Sequence, residues 1–117
     1  MENSVKVTAV NRYVEAFEKA DIDIIRDIYA ADAVVEDPVG KDTYAGMDAI
    51  CTFYESALGS GAKLELTGSP RCAGNTVAFP FKATVQGMTI EIIDVFEFNS
   101  EGKVVSMRAY WGEDNVT

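Results

Sequence analysis

The spacing of apolar residues changes once along this 117-residue chain, and that change limits the folds that it can adopt. Up to about residue 60, apolar residues recur every three or four positions, which predicts amphipathic helices. Further on, apolar and polar residues alternate, most regularly over 77–85 and 88–98, which predicts half-buried strands. Helices followed by strands predict an α+β fold in which three N-terminal helices pack on a curved antiparallel sheet.

The positions of these elements follow from the apolar stripes and from capping residues. Helices are predicted around 10–17, 24–29 and 50–58, with Asp21 and Asp48 as N-caps of the second and third. Five strands are predicted, at 33–37, 64–66, 77–85, 88–98 and 103–111. Pro80 lies inside one of them and predicts a bulge or an edge, which would help the sheet to curl. Helices and sheet would then close into a cone around an interior cavity.

Length and charge limit the ligands that such a cone could take. A chain of 117 residues forms a single domain over 1–117, large enough to enclose one dry pocket. Nineteen acidic against ten basic residues give a net charge of −9, which disfavours nucleic acids and anionic membrane surfaces. A neutral, apolar ligand fits this surface better. Since the N-terminus has no signal-peptide pattern and no apolar run nears the ~18 residues of a membrane span, a cytoplasmic location is predicted.

The chain contains no histidine, which narrows the chemistry available to it. Ser-His-Asp and Cys-His nucleophile systems and the usual zinc sites are thereby excluded. Cys51 and Cys72 stand among apolar residues without CxxC spacing, and we interpret them as reduced packing residues. Acid–base chemistry would therefore depend on carboxylates, tyrosines or lysines.

Asp94 breaks an apolar face of its predicted strand. Ile90 and Ile92 precede it on that face and Phe96 and Phe98 follow it, so the two-residue period turns its carboxyl inward. Burial without a partner raises the pKa of a carboxyl. The pattern leaves two interpretations open: a structural aspartate that pairs with Arg108 or caps a bulge, or a protonated acid that donates a hydrogen bond to an oxyanion.

Asp37 stands at the end of a short predicted strand, directly before Pro38. Its side chain shares a face with Ala33 and Val35, which would turn the carboxylate toward the cavity. In a dry cavity it could act as a general base. An Asp-Pro turn on the surface explains the same residues equally well.

Three tyrosines fall on the apolar stripes of the three predicted helices: Tyr13, Tyr29 and Tyr54. Aromatic residues at this spacing usually belong to a core. A buried phenol still needs a hydrogen-bond partner, so the three hydroxyls could form a chain or could each bond to a separate backbone carbonyl.

Four segments of the sequence resemble the ketosteroid isomerases (steroid Δ5-isomerases), in the same order and over nearly the whole chain. They are Asn11–Phe17, Val35–Gly40, Ile93–Phe96 and Met107–Trp111. The resemblance implies an NTF2-like cone and a homodimer. It also implies conversion of a Δ5-3-ketosteroid to the conjugated Δ4 isomer, a reaction that needs no cofactor and no metal.

The resemblance also implies a role for each residue. Asp37 matches the base that moves a proton from C4 to C6, and Tyr13 with a protonated Asp94 matches the two donors to the O3 oxyanion. Tyr29 and Tyr54 match tyrosines that hydrogen-bond toward the catalytic tyrosine. Four further positions match apolar walls of the steroid cavity: Trp111, Phe53, Phe81 and Met107.

Two other functions remain open. The same fold hosts cyclases and epoxide hydrolases that also place carboxyl groups in an apolar cone. Alternatively, the chain could be a non-catalytic module that binds a hydrophobic ligand. An apolar residue would be expected at position 37 or 94 of such a module, because burying a carboxyl has a free-energy cost that binding alone does not require.

Overall fold

In the computed structural model, which describes residues 1–117, three helices pack on a curved seven-stranded sheet. The helices are α1 (Asn3–Lys19), α2 (Ile22–Ile28) and α3 (Met47–Gly59). The strands are β1 (Tyr29–Glu36), β2 (Thr43–Ala45), β3 (Lys63–Leu66), β4 (Arg71–Ala73), β5 (Thr76–Val85), β6 (Met88–Phe98) and β7 (Val104–Tyr110). The α+β class and the three helices on a curved sheet are confirmed.

The sheet is mixed, which corrects the prediction of a purely antiparallel one. Its strand order is β2-β1-β7-β6-β5-β3, with β4 also pairing with β5. The pair β1–β7 is parallel and the other pairs are antiparallel. Alternation along a strand shows which face is buried but not which distant strand will lie beside it. The residues of β1 therefore could not predict its direction relative to β7.

Pro80 lies at a local edge of the sheet and not at a bulge. The ladder between β5 and β6 runs through the pair Pro80–Ile93 without a shift of register. On the other side of β5, pairing with β3 ends at Phe81 and pairing with β4 begins at Ala78. Pro80 thus occupies the gap between two partner strands, where a backbone N–H is not needed for a ladder.

Several element boundaries differ from the predicted ones. Tyr29 caps the C-terminus of α2 and begins β1, so this tyrosine is on a strand and not on a helical stripe. Helix α3 is capped by Gly46, whose φ of 86° suits glycine, and Asp48 lies in its first turn without capping it. The short strands β2 and β4 have three residues each, too few for a period to be recognised.

The hairpin between β5 and β6 turns where the sequence predicted. Gln86 and Gly87 form a two-residue loop, and both have positive φ, 50° and 83°. Such loops match the right-handed twist of the flanking strands.

Cys51 is buried and Cys72 partly exposed, and both are free thiols. None of the three helices combines the length and apolarity required to cross a bilayer.

Candidate active site

A cavity of about 240 Å³ lies between the helices and the concave face of the sheet. Helices α1 and α3 form one side of it, and strands β3, β5 and β6 form the other. Asp37 and Asp94 are the two charged residues among its 16 lining side chains, and 13 of the others are hydrophobic. An apolar cavity with no cationic side chain favours a neutral ligand.

Asp94 lies on β6 with its side chain turned into the protein, as the two-residue period predicted. The residue is 1% exposed, and Oδ1 has no hydrogen-bond partner. Burial raises the pKa of Asp94 well above its usual value, and the negative charge of Asp37 adds to the rise, while the Tyr13 hydroxyl opposes it. The structural interpretation is wrong in one respect, because Arg108 bonds instead to Glu36, at 3.3 Å. A buried carboxyl without a cation is held in its neutral form.

Asp37 follows the last residue of β1 and reaches the same cavity. Trp111, which follows the last residue of β7, donates a hydrogen bond from Nε1 to Oδ1 of Asp37, at 2.8 Å. The two residues meet because parallel strands end at the same edge of a sheet, and β1 and β7 are parallel. Burial raises the pKa of Asp37, and the bond from Trp111 limits the rise. Asp37 is therefore more basic than an ordinary aspartate but is still stabilised as the anion.

The three tyrosine hydroxyls form a hydrogen-bonded chain, so the alternative of three separate backbone partners is wrong. The hydroxyl of Tyr54 lies 2.6 Å from that of Tyr29 and 3.0 Å from that of Tyr13. Burial is the largest cause that raises the pKa of all three phenols well above the usual value. In each bond either hydroxyl can be the donor, and the arrangement that lowers the Tyr13 pKa is the one in which Tyr29 donates to Tyr54 and Tyr54 donates to Tyr13. The Tyr13 proton is then free to point into the cavity.

Aromatic packing holds this chain in place. The Tyr13 ring meets Tyr54, Phe79 and Phe96 edge to face, with ring centroids 5.3 to 5.9 Å apart. Such contacts, together with burial, fix the orientation of a ring that has few alternative rotamers. Tyr13 is positioned before any ligand binds.

The structure brings most of the predicted site residues to this cavity, but not all of them. Residues predicted for the site that line it are Tyr13, Asp37, Phe53, Tyr54, Phe81, Asp94 and Trp111. Tyr29 lies behind Tyr54 and reaches the cavity only through it. Met107 is fully buried in the core and lines no part of the cavity, so its expected place in the wall is not observed.

The cavity wall also contains residues outside the predicted site. Lining residues that were not singled out are Phe17, Ala57, Ser60, Ala62, Leu64, Ala83, Val85, Ile90 and Ile92. All of them except Ser60 and Ala62 lie on the apolar faces of predicted helices or strands. The helical period of 3.6 residues and the strand period of two could therefore have placed them as well. No group of three or more Cys, Asp and Glu side chains is arranged to hold a metal ion.

Comparison with known proteins places this geometry in a family. The model of the SnoaL-like domain matches residues 10–107. The steroid Delta-isomerase of Nocardioides simplex is 39% identical over 112 residues, which cover 92% of this chain and 90% of that enzyme. The epoxide hydrolase LasB of Streptomyces lasalocidi is 27% identical over 93% of this chain, but the match covers 42% of that protein.

A solved structure shows the same architecture. The epoxide hydrolase/cyclase-like enzyme SalBIII, described for its role in pyran ring formation in the polyether salinomycin, superposes with a TM-score of 0.92. It is 27% identical, and the match covers 98% of this chain and 96% of that one. Isomerase and epoxide-opening relatives therefore share this fold.

Proposed function

The chain belongs to the SnoaL-like domain family, of the NTF2-like type, and from this premise we propose that it is a steroid Δ-isomerase. Its reaction would move the C5=C6 double bond of a Δ5-3-ketosteroid to the conjugated C4=C5 position. The observation that supports the proposal most is that Asp37, Tyr13 and Asp94 line one apolar cavity in which the two carboxyls have different environments. The 39% identity to a steroid Delta-isomerase points to the same activity.

In the first step, the Asp37 carboxylate takes a proton from C4 of the substrate. The C4–H bond breaks, and its electrons spread through the dienolate to the oxygen at C3. The Tyr13 hydroxyl and protonated Asp94 donate hydrogen bonds to that oxyanion. In the second step, Asp37 returns the proton to C6, and the ketone re-forms as a conjugated enone. Donors that are in place before the charge develops need little reorganisation during the reaction.

The different environments of the two carboxyls suit these roles. Asp37 has a raised pKa, which makes it a better base, while the Trp111 bond keeps its anion accessible. Asp94 has the more strongly raised pKa of the two, and it keeps a proton that it can donate. A non-catalytic binding module would have no use for the unpartnered Oδ1 of Asp94, which costs free energy in the unliganded protein.

The assay that tests this function uses purified protein and 5-androstene-3,17-dione. Conversion to the conjugated enone produces new ultraviolet absorbance, so turnover can be followed directly. Well-folded protein that gives no rate above the spontaneous one would end the isomerase proposal.

Epoxide opening or cyclisation is the second candidate, supported by the 27% identity to LasB and the likeness to SalBIII. Epoxide hydrolysis requires a water activated between polar side chains. This mostly apolar cavity offers one base and two donors, which suits enolisation better. Incubation with an epoxide-bearing polyether precursor and detection of ring-opened or cyclised product would favour this candidate if the steroid is not turned over.

The pH profile of kcat/KM should be bell-shaped, with limbs set by the two carboxyls. Activity rises with pH as Asp37 loses its proton, at a pH above the usual aspartate range because its pKa is raised. Activity falls again at higher pH, when Asp94 loses the proton that it donates. Trp111→Phe removes the bond that lowers the Asp37 pKa, so the acid limb should move to higher pH. An acid limb that stays in place in this variant would show that Asp37 does not control it.

Removal of the central phenol should weaken Tyr13 as a donor. Tyr54→Phe breaks both bonds of the chain, whereas Tyr29→Phe breaks only the outer one. We expect kcat to fall by about tenfold in Tyr54→Phe, the value of one hydrogen bond, and by less in Tyr29→Phe. Steady-state kinetics of the two variants would measure this order, and a larger loss in Tyr29→Phe would contradict it.

A homodimer is also proposed, through the outer face of the sheet. Ile93, Tyr110 and Val34 lie there with 41% to 47% of their surface exposed, and Pro80 is paired beside Ile93. Exposed apolar side chains gathered on one face are typical of an interface. Ile93→Arg should convert dimer to monomer in sedimentation velocity. A wild-type chain that sediments as a monomer at micromolar concentration would contradict the proposal.

The partner and location that follow are those of the isomerase proposal. The substrate would be a small neutral steroid, and a cytoplasmic location stays a prediction that cell fractionation can test.

A further inference from the structure

A groove along helix α3 lies next to the cavity. This groove has a volume of about 920 Å³ and is lined by residues of β2, α3 and β5. Four residues line both spaces: Phe53, Ala57, Ser60 and Val85. The cavity and the groove are therefore neighbours with part of their lining in common.

The size of the cavity makes such a neighbouring space necessary for a large substrate. Its volume of about 240 Å³ is below the roughly 300 Å³ at which pockets for drug-sized ligands begin. The reacting end of the substrate must lie at Asp94, which is 1% exposed. The opposite end of a rigid skeleton would then pass Phe53 and Ala57 and enter the groove.

Helix α3 presents two different stripes to this groove. Polar side chains recur every fourth residue at Asp48, Thr52, Ser56 and Ser60, and beside them runs an apolar stripe formed by Ala49, Phe53 and Ala57. Residues four apart lie above one another on a helix, so the polar stripe extends for about 18 Å. A groove with one hydroxylated side and one apolar side matches a ligand that carries both hydroxyl groups and apolar carbon.

The hydroxyls of this stripe remain available to a ligand. Thr52 and Ser60 donate to the carbonyl oxygens of Asp48 and Ala57, which leaves their own oxygens free to accept. The Ser56 hydroxyl makes no side-chain hydrogen bond within the chain and can both donate and accept. Tyr44 stacks on Phe53 with ring centroids 4.4 Å apart and forms part of the opposite wall.

We propose that the groove is a second substrate subsite, which binds a neutral, hydroxyl-bearing extension at the end of the substrate opposite to the ketone. This inference rests on the proposed isomerase function and narrows its substrate to steroids that carry a hydroxylated side chain. An anionic extension is disfavoured, because the one charged residue of the groove, Asp48, would repel a carboxylate.

The test compares the binding of two conjugated steroid enones, one with a hydroxylated side chain and one without. Dissociation constants are measured by calorimetry for the wild type, for Ser56→Phe, which fills the groove, and for the control Glu55→Phe. Both residues are exposed on α3, but Glu55 lines neither the groove nor the cavity. We expect the wild type and Glu55→Phe to bind the extended ligand about tenfold more tightly than the short one. In Ser56→Phe this ratio should fall to about one, because its ring occupies the space that the buried extension needs.

Equal affinity for the two ligands in the wild type, or a ratio that survives in Ser56→Phe, would overturn the proposal. Binding is measured with conjugated enones that need no turnover, so the subsite can fail while the isomerase assay succeeds. The subsite can also be supported when the isomerase assay fails. This would be the result if the tenfold preference for the extended ligand were lost only in Ser56→Phe. A chain that binds neither ligand contradicts both proposals.

Discussion

Replacement of Asp37 by asparagine is expected to lower kcat by about 10²–10⁴-fold, the contribution typical of a general base. The amide keeps the shape of the side chain and can still meet the Trp111 indole, but it cannot take the proton from C4. Binding of the conjugated product should remain within about threefold of the wild type, since an amide replaces a carboxylate of the same size. Steady-state kinetics and calorimetry with the product enone separate these two effects.

Asp32→Asn is the matched control for that variant. Asp32 lies on β1, the strand that ends directly before Asp37, and is exposed to solvent outside the cavity. It should leave kcat unchanged. If Asp37→Asn lost product binding together with turnover, Asp37 would be a structural residue, contrary to its proposed role.

Asp94→Leu is expected to lower kcat by about 10²–10³-fold, the usual cost of losing one oxyanion donor. Asp94→Asn should lose less, because its amide N–H₂ can still donate to the oxyanion. Tyr13→Phe gives the reference for loss of the other donor. Equal losses in Asp94→Leu and Asp94→Asn would show that donation by this side chain does not matter for the rate.

The same Asp94→Leu variant should be more stable than the wild type, by about 1–3 kcal/mol, because an apolar side chain replaces a buried carboxyl with an unpartnered oxygen. Since the folded-state pKa of Asp94 is raised, its protonation favours the folded state. The wild type should therefore lose stability as the pH rises from the usual aspartate pKa, about 3.9, toward the raised value. Urea denaturation at several pH values should show this decline, reduced in Asp94→Leu. A variant less stable than the wild type at pH 7 would contradict the account.

Some of these features were readable from the sequence because one local rule determined them. The alternation around Asp94 placed its carboxyl inside, and the stripes of α1 and α3 placed Tyr13 and Tyr54 on buried faces. The turn between β5 and β6 followed from Gly87, which accepts positive φ, whereas the positive φ of Gln86 is uncommon for its residue type. The roles of these residues came from resemblance to a family. Their pattern alone was explained about as well by a purely structural role for each residue.

Other features depended on contacts between distant segments, which no local pattern reports. The bond between Trp111 and Asp37 exists because β1 and β7 are parallel neighbours, and alternation within either strand does not determine that pairing. Met107 shares its apolar character with the residues of the cavity wall, but its pairing with the fully buried Val35 and Phe96 places it in the core instead. Tyr29 was assigned to a helix because the apolar stripe of α2 continues without a break into β1.

The parallel pairing of β1 with β7 also affects how the protein is made. Strand β1 has two neighbours, β2 and β7, and β7 is the last strand of the chain. During synthesis, the strand that leads into Asp37 therefore has one three-residue strand beside it until residues 104–110 have left the ribosome. Asp37 and Trp111, which the hydrogen bond joins, are 74 residues apart in the sequence, and contacts of such long range form slowly. The contact between Asp37 and Trp111 therefore forms only after β7 has been synthesised, and a chain that stops before residue 104 lacks both that strand and the Trp111 indole.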